Sequence, residues 1–144
     1  MKVNEQEVFD ILTGKISSTI NRALLRSFAQ EKVKLTTEQW SVMSCLWKQD
    51  KITQQQLCTF TRKDKPSMTR LIDNLERNEL VVRVPHATDR RINLIHLTRQ
   101  GSALHEQASS LVKSVVDRAL MGISEEDIAI AREVLNKIIH NLDS

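Results

Sequence analysis

Between positions 65 and 91 the chain concentrates side chains suited to gripping a polyanion and reading its edges, and little that could make or break a covalent bond. Met68, Leu71, Ile72 and Leu75 recur at helical spacing, which places Ser67, Thr69, Arg70, Asp73, Asn74 and Arg77 together on the opposite face. An α-helix fits the major groove of duplex DNA. There a guanidinium can bond guanine O6 and N7 and a carboxamide adenine N6 and N7, while hydroxyls and ammonium groups hold phosphates. Arg70 and Asn74, one turn apart, are therefore the candidate base readers. Lys65, Ser67 and Thr69, nearer the helix N-terminus, are placed for phosphates or base edges, with the helix dipole adding attraction. Farther on, the segment His86 to Arg91 sets Arg90 and Arg91 beside a turn, where one guanidinium can enter the narrow minor groove. Asp89 is placed to pair with one arginine and shape the turn, which leaves the other to reach outward.

Catalysis has no comparable footing. The chain lacks a Gly-rich phosphate loop, a GxSxG elbow and an HExxH pair, and His86, His96, His105 and His140 are scattered without ligand spacing. No enzymatic activity, metal or cofactor is expected. Cys45 and Cys58 show neither metal-ligand spacing nor a disulfide framework, and read as reduced structural thiols. Between Arg62 and Arg91 eight Lys/Arg stand against five Asp/Glu, so the whole formal excess of +3 lies in this stretch. That placement is expected of a segment facing a polyanion. With 144 residues, 40% apolar and 27% charged, the chain reads as one globular domain over residues 1–144. No run approaches the roughly 18 apolar residues of a membrane span, and MKVNEQEVFD lacks the apolar core of a signal peptide, so a cytoplasmic protein is expected.

The elements that must position these residues follow from periodicity and caps. Val8, Leu12, Ile16, Ile20, Leu24 and Phe28 recur every four residues, the stripe of a long amphipathic helix. Thr36 with Gln39 and Thr53 with Gln56 are capping-box pairs that open two more helices, the second carrying Leu57 and Phe60. The helix of Met68 comes next, with Pro66 tolerated in its first turn. VVRV, the turn PHATD and RINLIHL form a β-hairpin. Thr98 and Gly101 introduce another long helix that ends near Gly122, and Ser124 with Asp127 opens the last.

The expected fold is mainly α with a small β-hairpin wing (α+β). A winged helix-turn-helix core over residues 36–98 is flanked by long dimerisation helices over residues 1–32 and 99–144. The flanking helices carry apolar stripes too large for the small core to cover, and a second copy under twofold symmetry is the simplest cover. Two helix-turn-helix units reading DNA need the same symmetry, with half-sites about 34–36 Å apart or a multiple of that.

The run DKPSMTRLIDNLERNELVVRVPHATDRRINLIHLTRQG resembles the recognition helix and wing of the MarR family (multiple-antibiotic-resistance regulators), and the likeness extends over nearly the full chain. It is carried by Thr69 to Ile72, Leu75-Glu76, Val82 with Arg83, Asp89-Arg90-Arg91, and Leu97-Thr98 with Gly101. The resemblance implies that Arg90 enters the minor groove, that Asp89 and Arg91 brace the wing, and that Ser67, Thr69 and Arg70 lie in the major groove. It also implies a homodimer built on the first helix and the last two, and a repressor on a pseudo-palindromic operator. Release would come from a small, often aromatic, effector or from cysteine oxidation. Peroxide-sensing relatives carry a reactive Cys near the end of the first helix, where this chain has none. Trp40, Met43, Trp47 and Phe28 are core residues by default and the candidate lining of an effector pocket. Relatives commonly carry Gly between the recognition helix and the next strand; here Asn78 is expected to take the left-handed turn. The alternative function is a winged-helix protein–protein interaction module, against which the Arg90/Arg91 tip and the localised basic excess both argue.

Overall fold

The structure, a computed structural model, describes residues 2–143; the outermost residues of the two flanking segments, Met1 and Ser144, lie outside the described residues. Asn4 caps α1 (Glu5–Asp10), its Oδ1 accepting from the Glu7 amide at 3.1 Å. The helix widens into a π-helical turn (Ile11–Lys15) and resumes as α2 (Ile16–Gln30). The apolar stripe running through all three divides in two. Leu24 and Phe28 are buried in the core, whereas Val8, Leu12, Ile16 and Ile20 remain 40–57% exposed.

Both expected capping boxes form, opening α3 (Thr37–Lys48) on Thr36 and α4 (Gln54–Thr61) on Thr53. Asp64 caps α5 (Lys65–Arg77). Val42, Met43 and Leu46 of α3, Leu57 of α4 and Met68, Ile72 and Leu75 of α5 are fully buried with Phe28, each contributing roughly 1.5–3 kcal/mol. Phe60 does not join them: it is 57% exposed. The buried face of α4 is centred between Leu57 and Cys58, and Phe60 stands roughly 110° around the helix from that centre.

The hairpin consists of β2 (Val81–Pro85) and β3 (Asn93–Leu97), antiparallel with Val81 opposite Leu97 and Pro85 opposite Asn93. A third strand, β1 (Ile52–Thr53), was not expected. It pairs with β3, Ile52 facing Ile95, and makes a sheet of order β1-β3-β2 that ties the start of α4 to the wing. Two residues are too short to show alternation.

The turn leaving α5 corrects one expectation. Asn78 has φ −83° and ψ 6°, and Glu79 takes the left-handed conformation at φ 63°. The helix runs to its cap at Asn78, and a Schellman closure needs the left-handed residue one position later: the Glu79 amide donates to Glu76 O and the Leu80 amide to Leu75 O, both at 3.0 Å.

The expected long helix after the hairpin is two, α6 (Arg99–Ala103) and α7 (His105–Ala119), meeting at Leu104. Gly101 sits so close to the backbone of β2's approach that a Cβ there would lie 2.1 Å from Leu80 O. α7 packs on α2, and its Ala108 and Val115 are buried. Gly122, at φ 79°, turns the chain into α8 (Glu125–Leu142), which buries none of its residues.

Candidate nucleic-acid interface

The Asp64 carboxylate accepts from the Ser67 amide at 2.7 Å, so one free N–H of the first turn of α5 is spent on the cap. That amide first, and then the Ser67 hydroxyl, hold the Asp64 carboxyl below the usual carboxylate range. Met68, Ile72 and Leu75 lock the buried face, and the opposite face carries the residues singled out from the sequence. Lys65 and Arg70 are exposed. Asn74 is half-buried and its Oδ1 accepts from Arg77 Nη1 at 3.1 Å, a bond that does not use the two donors of its NH₂ group. Ser67 and Thr69 are half-buried, and the Thr69 Oγ1 accepts from Gln54 Nε2 at 2.8 Å.

The wing loop between Pro85 and Asn93 is shaped by its own polar groups. His86 Nδ1 accepts from the Thr88 amide at 3.2 Å and the Asp89 amide at 3.3 Å. Asp89 receives the Arg91 amide and Nε on Oδ1, each at 3.1 Å, and Nη2 on Oδ2 at 3.3 Å. The Arg91 side chain and amide hold the Asp89 carboxyl below its ordinary value. Arg90 is exposed and forms no ion pair among the described residues.

From the sequence Arg83 counts only as one of the eight cations between Arg62 and Arg91, and the structure gives it a specific task. Its Nη2 lies 2.8 Å from Asp73 Oδ1 and its Nη1 3.0 Å from Glu76 Oε1, while its amide donates to Glu76 Oε2 at 3.0 Å. Nη2 also reaches Thr69 O at 3.3 Å. Strand β2 is thus clamped to two turns of α5, which sets the wing's angle to the helix. The signal available beforehand was the spacing of Asp73 and Glu76, three apart on one helix face. Arg62 pairs with Asp143 and Lys63 with Glu38, so the surplus charge resolves into Lys65, Arg70, Arg77 and Arg90, which form no salt bridge among the described residues. α5 and the base of the wing share one cleft of about 530 Å³, to which Lys65, Thr69 and Arg91 all contribute.

None of the four candidate effector-pocket residues lines the clefts beside α5 and α6–α7. Phe28 and Met43 are buried at 1% and 0%, Trp47 donates from Nε1 to Gly101 O at 3.0 Å and stacks on His105, and Trp40 packs half-buried on the core. An open cleft of about 520 Å³ lies instead between the end of α2, the end of α5 and α6–α7, with Lys32, Lys34, Asn78, Gln100 and Gln107 on its walls. Cys58 is buried and Cys45 half-buried; burial pushes the Cys45 thiol up against a smaller opposite pull from Lys48. No helix among the described residues is long and apolar enough to cross a membrane.

Comparison with known proteins agrees with this geometry. A MarR family model matches residues 35–92. The transcriptional regulator PA3341 is 30% identical over 94% of this chain and 98% of its own, with a TM-score of 0.78. MepR of S. aureus, solved as a complex with DNA, is 25% identical over 98% and 100% of the two chains, with a TM-score of 0.84. CouR from Rhodococcus jostii RHA1, solved with p-coumaroyl-CoA, shares the fold at 23% identity over 90% of each chain and a TM-score of 0.75.

Proposed function

The chain belongs to the MarR family of winged-helix, DNA-binding transcription regulators, and from that premise we propose that it acts as a cytoplasmic homodimer repressing transcription from a pseudo-palindromic operator. The observation that carries this reading is the shared face of α5 and the wing, where Lys65, Arg70, Arg77 and Arg90 form no salt bridge among the described residues. Arg70 and Asn74 read base edges in the major groove, Lys65, Ser67 and Thr69 grip phosphates or edges at the start of the helix, and Arg90 enters the minor groove from a wing held by Asp89 and Arg91. The MepR–DNA complex supports the partner assigned.

The dimer is supported by the uncovered stripes. Val8, Leu12, Ile16 and Ile20 at one end and Leu135, Ile139 and Leu142 at the other are 40–80% exposed, and α8 buries nothing within its own chain. A second copy packing these faces together would remove that apolar area from water. The cleft with Lys32 and Lys34 suits an acidic aromatic effector, a class for which p-coumaroyl-CoA on CouR gives a precedent.

Selection of bound sequences from a random duplex pool, followed by salt titration on the enriched site, tests the proposal. An inverted repeat with half-sites about one helical turn apart, and affinity falling steeply with salt, is the expected result. Absence of any enriched sequence would refute it. Sedimentation should give twice the chain mass, and small aromatic acids should release the bound operator.

A further inference from the structure

The geometry points to Gln54 as a positioning residue that fixes the hydrogen-bond polarity of Thr69, and so makes the Gln54–Thr69 pair a determinant of sequence preference. This inference rests on the DNA-binding reading above and concerns a residue that reading leaves unused. Gln54 is the first residue of α4 and reaches across the helix-turn-helix to α5, where its Nε2 donates to Thr69 Oγ1 at 2.8 Å.

A hydroxyl has one proton to give and two lone pairs to offer. Threonines inside helices usually give that proton to the carbonyl four residues back. Thr13, Thr19, Thr59 and Thr61 all do so here, to Phe9, Lys15, Gln55 and Leu57 at 2.6–3.2 Å. Thr69 does not: the bond from Gln54 occupies one lone pair, and its own proton meets no acceptor among the described residues. The hydroxyl is a donor in waiting.

It stands on the wall of the cleft shared by α4, α5 and the wing, which Lys65, Asp73, Arg83 and Arg91 also line; Asp73 is neutralised by Arg83 and Arg91 pairs with Asp89, so Lys65 leaves the wall positive and favours an electron-rich partner. In a major groove the matching atoms are guanine O6 and N7, adenine N7 and thymine O4. The amino groups of adenine and cytosine do not match. Gln54 therefore acts through Thr69 by keeping the proton pointed at the DNA, without needing a base contact of its own.

The test is a double-mutant cycle on base preference at each operator position, measured by competition with the enriched duplex and its single-base variants. Thr69→Val should lower discrimination at one base pair by about three- to tenfold, the worth of one hydrogen bond. Gln54→Ala should reproduce that loss at the same base pair, with the thermal midpoint lowered by no more than about 5 °C for the one part-buried hydrogen bond removed, and should add nothing in the Thr69→Val background. Gln54→Glu, whose carboxylate can only accept, should capture the proton and give the Thr69→Val pattern. Equal effects of Gln54→Ala in both backgrounds, or a loss uniform over all positions, would overturn the inference while leaving specific DNA binding intact. If the unaltered protein enriches no sequence, the failure lies with the DNA-binding reading itself, and the inference falls with it.

Discussion

Replacing Gly101 by alanine sets two effects against each other, and the structure decides the sign. Gly101 lies in the first turn of α6, where helix propensity alone would make alanine more stable by up to about 1 kcal/mol. Yet the new Cβ would stand 2.1 Å from Leu80 O and 3.1 Å from Leu80 C, both backbone atoms, where ordinary contact begins near 3.4 Å. The two segments must part by about 1 Å. They are not free to do so. Leu80 O already accepts the Thr98 amide at 3.1 Å, Thr98 Oγ1 caps Gly101 at 3.0 Å, and Gly101 O accepts from Trp47 at 3.0 Å. Overpacking costs typically 1–3 kcal/mol and a disturbed hydrogen bond about 1 kcal/mol more, which the propensity gain offsets, so Gly101→Ala should destabilise by roughly 1–3 kcal/mol net. For a chain of this length that is roughly 3–10 °C in Tm. The assay is urea or thermal unfolding at one fixed protein concentration, because association into the proposed dimer would make Tm concentration-dependent. An unchanged or more stable Gly101→Ala protein would show that propensity wins and that the Leu80 carbonyl does not approach this helix as described.

Glu79→Gly should raise stability by roughly 0.5–1 kcal/mol in the same unfolding assay, because Glu79 holds a left-handed conformation that costs a side-chain-bearing residue energy. Arg83→Met should cost roughly 1–3 kcal/mol, the discounted worth of a mostly buried guanidinium on two half-exposed carboxylates. It should also blur base preference on the wing side of the selected site, and an unaltered urea midpoint would remove the clamp from the argument. Arg70→Ala should lose roughly 1–3 kcal/mol concentrated at one base pair, and Arg90→Ala should weaken all sequences with a shallower salt slope; the reverse pattern in a competition assay would exchange their roles. The Asp89 carboxyl is held low by Arg91, so the wing contact is complete above the ordinary aspartate value of about 3.9 and is lost only as pH falls through the lowered value in the folded wing. Carboxyl and guanidinium NMR signals of the pair should stay constant from about pH 5 upward and change below about pH 4.

The parts of the fold that local rules govern could be read from the sequence. Thr36-Gln39 and Thr53-Gln56 form capping boxes because hydroxyl and carboxamide meet first-turn amides whatever surrounds them. The buried face of α5 follows from the spacing of Met68, Ile72 and Leu75, and with it the face left to Arg70 and Asn74. The hairpin was legible from β-branched runs around PHATD. Tertiary structure decided everything that depended on which surfaces meet. One four-residue stripe became core at Leu24 and Phe28 and open surface at Val8 to Ile20, because periodicity reports that a face is apolar and not what covers it. Asn78 and Glu79 exchanged roles because helix length, set by packing, fixes where the left-handed residue falls. β1 exists only through its pairing with β3, Ile52 opposite Ile95 and Thr53 opposite Leu94. Arg83 counts as one more positive charge along the chain; in space, Asp73 and Glu76 neutralise it and turn it into the joint between helix and wing. Charge and period are properties of a segment, whereas pairing and burial belong to the distances between segments, and those distances arise only when the chain has folded.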